Sequence, residues 1–201
     1  MISEGSGDCK SCDGLGVIGR SAHATLLACA TLMQLGCGAA VPNQEPAMTS
    51  RDPYVGEVTR EAIESGLEPW RLARETAAPD ASVAAELASV TPGAEVIVVL
   101  GVWCGDSRRE VPRLWRALDL AGGSVPFSMS TIGVDRARAA PGGLVDGLGI
   151  DYVPTIIVRR EGREVGRIVE SAPGGIERAL RDLLTGTRTG VISGRAGVGA
   201  P

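Results

Sequence analysis

The sequence predicts an α/β domain with a central mixed four-stranded sheet flanked by helices, preceded by a leader and an extra N-terminal helix. Three observations carry this expectation. Residues 95–100, EVIVVL, form a β-branched run bounded by Pro92 and Gly93, the pattern of a strand buried on both faces. A helical period begins a few residues later, with Val111, Leu114, Trp115 and Leu118 apolar. Further on, two strand-like segments, 155–159 and 165–169, flank Arg160-Glu161-Gly162-Arg163, a hairpin signal.

Residues 1–37 read as a leader. Ala22 to Leu35 is mostly apolar, with Arg20 before it and the small residues Gly36 to Ala40 after it, and it resembles a secretory signal peptide. Gly36-Cys37 resembles the lipobox of bacterial lipoproteins, which makes Cys37 a candidate lipidation site. Gln34 stands where a lipobox usually has leucine, so cleavage after Ala39 or Ala40 is the alternative. Glu4, Asp8 and Asp13 suit a signal peptide poorly, and Val17 is an alternative initiator. Near them, Cys9 and Cys12, followed by Gly14 and Gly16, resemble the CxxCxGxG repeat in the zinc domain of DnaJ-type chaperones. One such knuckle supplies two of the four ligands a tetrahedral zinc needs, so Cys9 and Cys12 form a weak zinc candidate. The expected location is the bacterial cell envelope or periplasm, with lipid anchoring through Cys37. The alternative is a cytoplasmic protein in which the apolar stretch is a buried helix. No transmembrane helix is expected in the mature chain, because no apolar run reaches the ~18 residues that spanning requires.

A linker follows at 38–53, with Pro42, Pro46 and Pro53 in a polar setting. Residues 54–93 read as N-terminal helices. The first spans 54–74 and is broken by Gly66 and Pro69; the second runs from Ala81 to Val90. The main domain occupies 94–184. After the strand at 95–100 comes a helix at 108–120, then a strand at 127–134, where Asp135 is placed to cap a short helix ending near Leu148-Gly149. The hairpin and an amphipathic helix at 176–184 complete it, and a crossover between the first two strands makes them parallel. The tail, 185–201, has five glycines and no hydrophobic period, and reads as disordered.

Composition narrows the functions. With 20 basic and 24 acidic residues, the formal net charge is −4, which offers no electrostatic footprint for nucleic acid. The lone histidine, His23, lies in the leader, so the mature chain holds neither a Ser-His-Asp triad nor a histidine metal cluster. No cofactor is called for. Of five cysteines, only Cys104 lies beyond residue 37.

Cys104 falls where a strand turns into a helix. Unsatisfied N–H groups and the positive end of the helix dipole favour thiolate there, so Cys104 is the candidate nucleophile. Trp103 is placed to form an apolar rim for a docking polypeptide, and Asp106 sets a like charge against a thiolate. Asp135, Arg136 and Arg138 follow the second strand and so border the same face, with capping and solvation as their first expected roles.

The stretch from about Ala94 to Leu184 resembles a thioredoxin-family domain. The resemblance rests on Trp103-Cys104-Gly105 after a hydrophobic strand, Pro112 eight positions beyond the cysteine, and Val153-Pro154-Thr155 before the hairpin. It implies a thioredoxin-like fold, a cis bond before Pro154, and a loop at 153–155 lying against the reactive sulfur. Substrate contacts are then expected at Trp103, Gly105, Asp106, Val153, Pro154 and Thr155, with the carbonyl and N–H of Val153 free to pair with an extended chain.

The departure limits the chemistry. A thioredoxin carries its resolving cysteine three residues after the first, and here that residue is Ser107; Val98 likewise replaces the family's buried aspartate. Ser107 becomes a candidate hydrogen-bond donor to the Cys104 thiolate. The expected function is monothiol, CxxS-type thiol–disulfide exchange, forming mixed disulfides with protein or low-molecular-weight thiols. One alternative is a non-catalytic binding module holding clients at Trp103 and Val153-Pro154. Another follows from Cys104-Gly105-Asp106-Ser107, which resembles the CGFS motif of iron–sulfur-binding monothiol glutaredoxins, with Asp106 in place of the aromatic residue.

Overall fold

In the computed structural model, which describes residues 52–198, the chain enters through a two-residue strand, β1 (Gly56–Glu57). The leader, its candidate residues Cys9, Cys12 and Cys37, and most of the linker lie outside the described residues. Thr59 then caps α1 (Arg60–Gly66), its hydroxyl accepting the Ala62 N–H at 3.1 Å. The chain breaks at Gly66-Leu67 as expected, but Pro69 does not end a helix. It sits in the first turn of α2 (Glu68–Thr76), where its missing N–H would have no intrahelical partner. The second expected helix is shorter than 81–90: α3 (Ala81–Glu86), capped by Asp80, tightens into a 3₁₀ turn at Leu87–Ser89.

β2 (Ala94–Leu100) feeds α4 (Gly105–Leu120), with Pro112 inside the helix, and α4 leads to β3 (Phe127–Gly133). β2 and β3 are parallel, from Ala94 opposite Phe127 to Leu100 opposite Gly133. The hairpin consists of β4 (Thr155–Arg160) and β5 (Arg163–Val169), joined by Glu161 and Gly162. Both connecting residues have positive φ, 53° and 73°, the requirement of a type I′ turn that matches the twist of paired strands. α5 (Ile176–Thr185) follows, and β6 (Gly190–Ser193) ends the sheet. The strand order is β1-β3-β2-β4-β5-β6, with β4 antiparallel to both β2 and β5. A parallel βαβ unit joined to a ββα hairpin unit, with β2 central, is a thioredoxin-like fold.

Alternation along β2 divides the core. Val96, Val98 and Leu100 face a large cluster with Leu114, Trp115, Ile156, Ile168, Leu180 and Leu183, whereas Ile97 and Val99 face a smaller one with Ile132, Leu148, Val153 and Ile157. Each fully buried Val, Ile or Leu contributes roughly 1.5–3 kcal/mol, so this strand anchors both layers. The smaller cluster is roofed by the loop connecting β3 to β4, and the half-buried Trp103 and Cys104 pack against it.

Three expectations are corrected. The sheet has six strands rather than four, because β1 pairs with β3 and β6 with β5. No α-helix forms between Asp135 and Leu148. Asp135 instead closes a turn by accepting the Ala137 and Ala139 N–H groups, each at 2.8 Å, and a 3₁₀ turn spans Pro141–Gly143. Gly142, Gly143, Gly147 and Gly149 all take positive φ, which a right-handed helix excludes. Finally, the tail expected to be disordered carries β6, whose Ile192 is buried. Among the described residues, no helix is long and apolar enough to cross a membrane.

Candidate functional site

The site forms where β2 ends and α4 begins. Cys104 is the N-cap residue of α4, in extended conformation (φ −90°, ψ 129°), and its carbonyl accepts the Arg108 N–H at 3.1 Å. An N-cap side chain commonly accepts a first-turn N–H, but the Cys104 thiol makes no such bond. It turns toward the loop that enters the neighbouring strand β4 instead, and Sγ lies 3.2 Å from the carbonyl oxygen of Val153. The sulfur is partly exposed.

Val153 precedes β4 in the cis-proline loop: the Val153–Pro154 bond is cis, as the resemblance implied. Val153, Pro154 and Thr155 are buried. The Thr155 hydroxyl donates to the Tyr152 carbonyl at 2.7 Å, and the Pro154 carbonyl accepts the Glu170 N–H at 2.8 Å. The Val153 carbonyl thus accepts the Cys104 thiol and keeps a second lone pair. No hydrogen bond among the described residues uses the Val153 N–H.

Trp103 borders the sulfur in a fixed pose. Its Nε1–H donates to the Val134 carbonyl at 3.1 Å, just past the end of β3. The indole lies so close to Gly101 that a Cβ there would come within 2.6 Å of the ring. Gly105 is the opposite case: it is exposed, and a Cβ would meet nothing within 4 Å. The fold does not demand a glycine there, and its absent side chain leaves an approach to Cys104 open.

Ser107 makes a structural bond. It is fully buried, and its oxygen accepts the Gly101 N–H at 3.3 Å, tying the first turn of α4 to the end of β2. No hydrogen bond among the described residues joins it to Cys104. The Asp106 carboxylate is paired with the Arg109 guanidinium at 2.8 Å. A hydrogen bond to Glu110, and then the one to Asp106, raise Arg109 above the ordinary arginine value despite partial burial, so it stays charged.

Two contacts escaped the sequence reading. The Arg136 guanidinium carbon lies 5.4 Å from the centre of the Trp103 ring, a cation–π arrangement. On the other side, Arg195 lies 4.5 Å from the Tyr152 ring centre and gives Nη1 to both Glu170 oxygens at 3.1 Å. Those Glu170 bonds raise Arg195 above the usual arginine value. Tyr152, adjoining Val153, had a positional signal. Arg195 had none, because it sits in a glycine-rich tail whose path is set by β6.

No family model and no curated protein matches the sequence. Several solved structures are similar to it. A protein of unknown function from Pseudomonas aeruginosa is 20% identical, over 61% of this chain and 72% of that one, with a TM-score of 0.41. Trxlp from Edwardsiella tarda is 20% identical, over 53% of this chain and 96% of its own, with a TM-score of 0.37. A mutant thioredoxin from Halobacterium salinarum is 18% identical, over 49% and 78%, with a TM-score of 0.34. The site is therefore read from its own residues.

Proposed function

We propose that this thioredoxin-fold protein carries out thiol–disulfide exchange through Cys104 alone. The supporting observation is the partly exposed Cys104 sulfur at the start of α4, 3.2 Å from the Val153 carbonyl of the cis-proline loop. In the resting state the thiol donates to that carbonyl. Deprotonation removes the donor and releases the carbonyl, so the same event activates the sulfur and opens a backbone acceptor for an incoming chain. The thiolate attacks a disulfide R–S–S–R′, the old S–S bond breaks as the Cys104–S–S–R bond forms, and R′–S⁻ leaves and takes a proton from solvent. With Ser107 in place of a resolving cysteine, a second external thiolate must attack the mixed disulfide and release Cys104.

Incubating the full chain with 2-hydroxyethyl disulfide and mapping adducts by peptide mass tests this. The expected result is an adduct on Cys104 that added thiol removes. A Cys104 that stays unmodified while a free cysteine peptide reacts would overturn the proposal.

A second reading, a module that holds clients without turnover, draws on the buried Ser107, which supplies no resolving chemistry. Client retention undiminished in Cys104→Ala would favour it over exchange. In either reading the apolar leader directs the protein to the cell envelope, with Cys37 as the anchor. Recovery of an intact Met1 in the purified native protein would refute the export.

A further inference from the structure

Two guanidinium groups lie over the rings of the residues that precede Cys104 and Val153, and their surroundings differ. The Arg136 guanidinium carbon lies 5.4 Å from the ring centre of Trp103, the residue before the cysteine; that of Arg195 lies 4.5 Å from the ring centre of Tyr152, the residue before Val153. Arg195 is answered by Glu170, whose two oxygens lie 3.1 Å from Nη1. Arg136 makes no hydrogen bond or ion pair with any described residue. The nearby carboxylates are engaged elsewhere, Asp106 by Arg109 at 2.8 Å and Asp135 by the Ala137 and Ala139 N–H groups at 2.8 Å each.

Arg136 is exposed, yet its position is defined. It lies over an indole that is itself held by the Val134 carbonyl and packed on Gly101. A guanidinium carries a planar fork of N–H donors that matches a carboxylate in a two-point geometry. A cation beside the ring of the residue that precedes Cys104, on a chain of net charge −4, suits a compact anion better than an acidic polypeptide.

Building on the thiol-exchange reading, we infer that the disulfide partner of Cys104 is a small molecule carrying a carboxylate near its sulfur, and that Arg136 determines this specificity by holding that carboxylate. Arg136 takes no part in the bonds that change. The Cys104 thiolate displaces one half of the small disulfide as a thiolate, and the half retained on Cys104 keeps its carboxylate at Arg136.

Three symmetrical disulfides of similar size test the inference: 3,3′-dithiodipropionic acid (anionic), 2-hydroxyethyl disulfide (neutral) and cystamine (cationic). The rate of Cys104 adduct formation is followed by mass spectrometry in the full chain and in Arg136→Gln. Arg163→Gln serves as control, removing the same charge from the start of β5 at the opposite end of the sheet. The anionic-to-neutral rate ratio is expected to fall about threefold to fivefold in Arg136→Gln, the size of one exposed charge contact, and to stay unchanged in Arg163→Gln. In the natural sequence, raising the salt concentration should shrink the same ratio, and cystamine should be the slowest of the three. A ratio that falls equally in both variants, or in neither, overturns the inference while leaving thiol exchange standing. Absence of a Cys104 adduct with all three disulfides overturns thiol exchange itself.

Discussion

The oxygen of Ser107, fully buried in the first turn of α4, accepts the N–H of Gly101 at 3.3 Å. The residue standing where a resolving thiol would be is thus a tie between helix and sheet. Ser107→Ala leaves a buried N–H without its acceptor and should cost about 1–3 kcal/mol in urea unfolding. Ser107→Cys supplies a second thiol three residues after Cys104. Insulin reduction in the presence of dithiothreitol should rise well above that of the natural sequence, and oxidation should remove two thiols per chain. Unchanged turnover in Ser107→Cys would show that this position does not face the Cys104 mixed disulfide.

Arg113 on α4 grips Glu177 on α5 through two bonds of 2.9 and 2.7 Å, and Glu177 is fully buried. Burial alone pushes the Glu177 carboxyl up, but the Arg113 bonds and the Asp80 N–H outweigh it and hold the group below the usual glutamate value. A depressed folded-state value gives stability that is present above the unfolded value of about 4.3 and lost as pH falls through the lower folded one. Glu177→Gln should therefore flatten the acid arm of the stability profile below about pH 4.3. Arg113→Met strands a buried carboxylate and should cost about 3–5 kcal/mol at pH 7, much of it recovered in Arg113→Met/Glu177→Leu. A loss below 1 kcal/mol would mean that water reaches Glu177.

β6 gives the C-terminal segment a defined role. Ile192 is 1% exposed, and the Ser193 hydroxyl donates to the Val169 carbonyl at 2.9 Å. Ile192→Ala should lower stability by about 2–4 kcal/mol, whereas a change in a disordered tail would be silent. Ending the chain at Arg188 should also slow Cys104 adduct formation, because Arg195 then no longer braces Tyr152 and Glu170 beside the cis-proline loop. An adduct rate equal to that of the full chain would separate β6 from the site.

Gly101 and Gly105 should respond oppositely to the same change. Gly101→Ala drives a Cβ to 2.6 Å from the Trp103 ring, so the indole must move and release its bond to Val134. We expect a loss of about 1–3 kcal/mol and an altered tryptophan emission spectrum. Gly105→Ala meets nothing within 4 Å and should leave the folding midpoint within about 0.5 kcal/mol of the natural sequence. Its effect belongs to docking, as a slower reaction of Cys104 with bulky disulfides. Equal stability in both variants would contradict the Trp103 packing.

The sequence by itself determined the central βαβ unit, the hairpin, the final helix and Cys104 at a helix start, because each leaves a local trace. A β-branched run, a helical period and a Glu-Gly turn arise from neighbours in the chain and act before long-range contacts exist. Only the tertiary structure decided the two outer strands. Gly56–Glu57 is too short to show a period, and Gly190–Ser193 lies in a glycine-rich tail, so both become strands through hydrogen bonds offered by β3 and β5. The same holds for the environment of the sulfur. The Val153 carbonyl lies 49 residues from Cys104 and the Val134 carbonyl 31 from Trp103, while Arg136 and Arg195 come to their aromatic rings from separate loops. Spacing along the chain locates a reactive residue; the closure of distant loops around it decides what the residue meets.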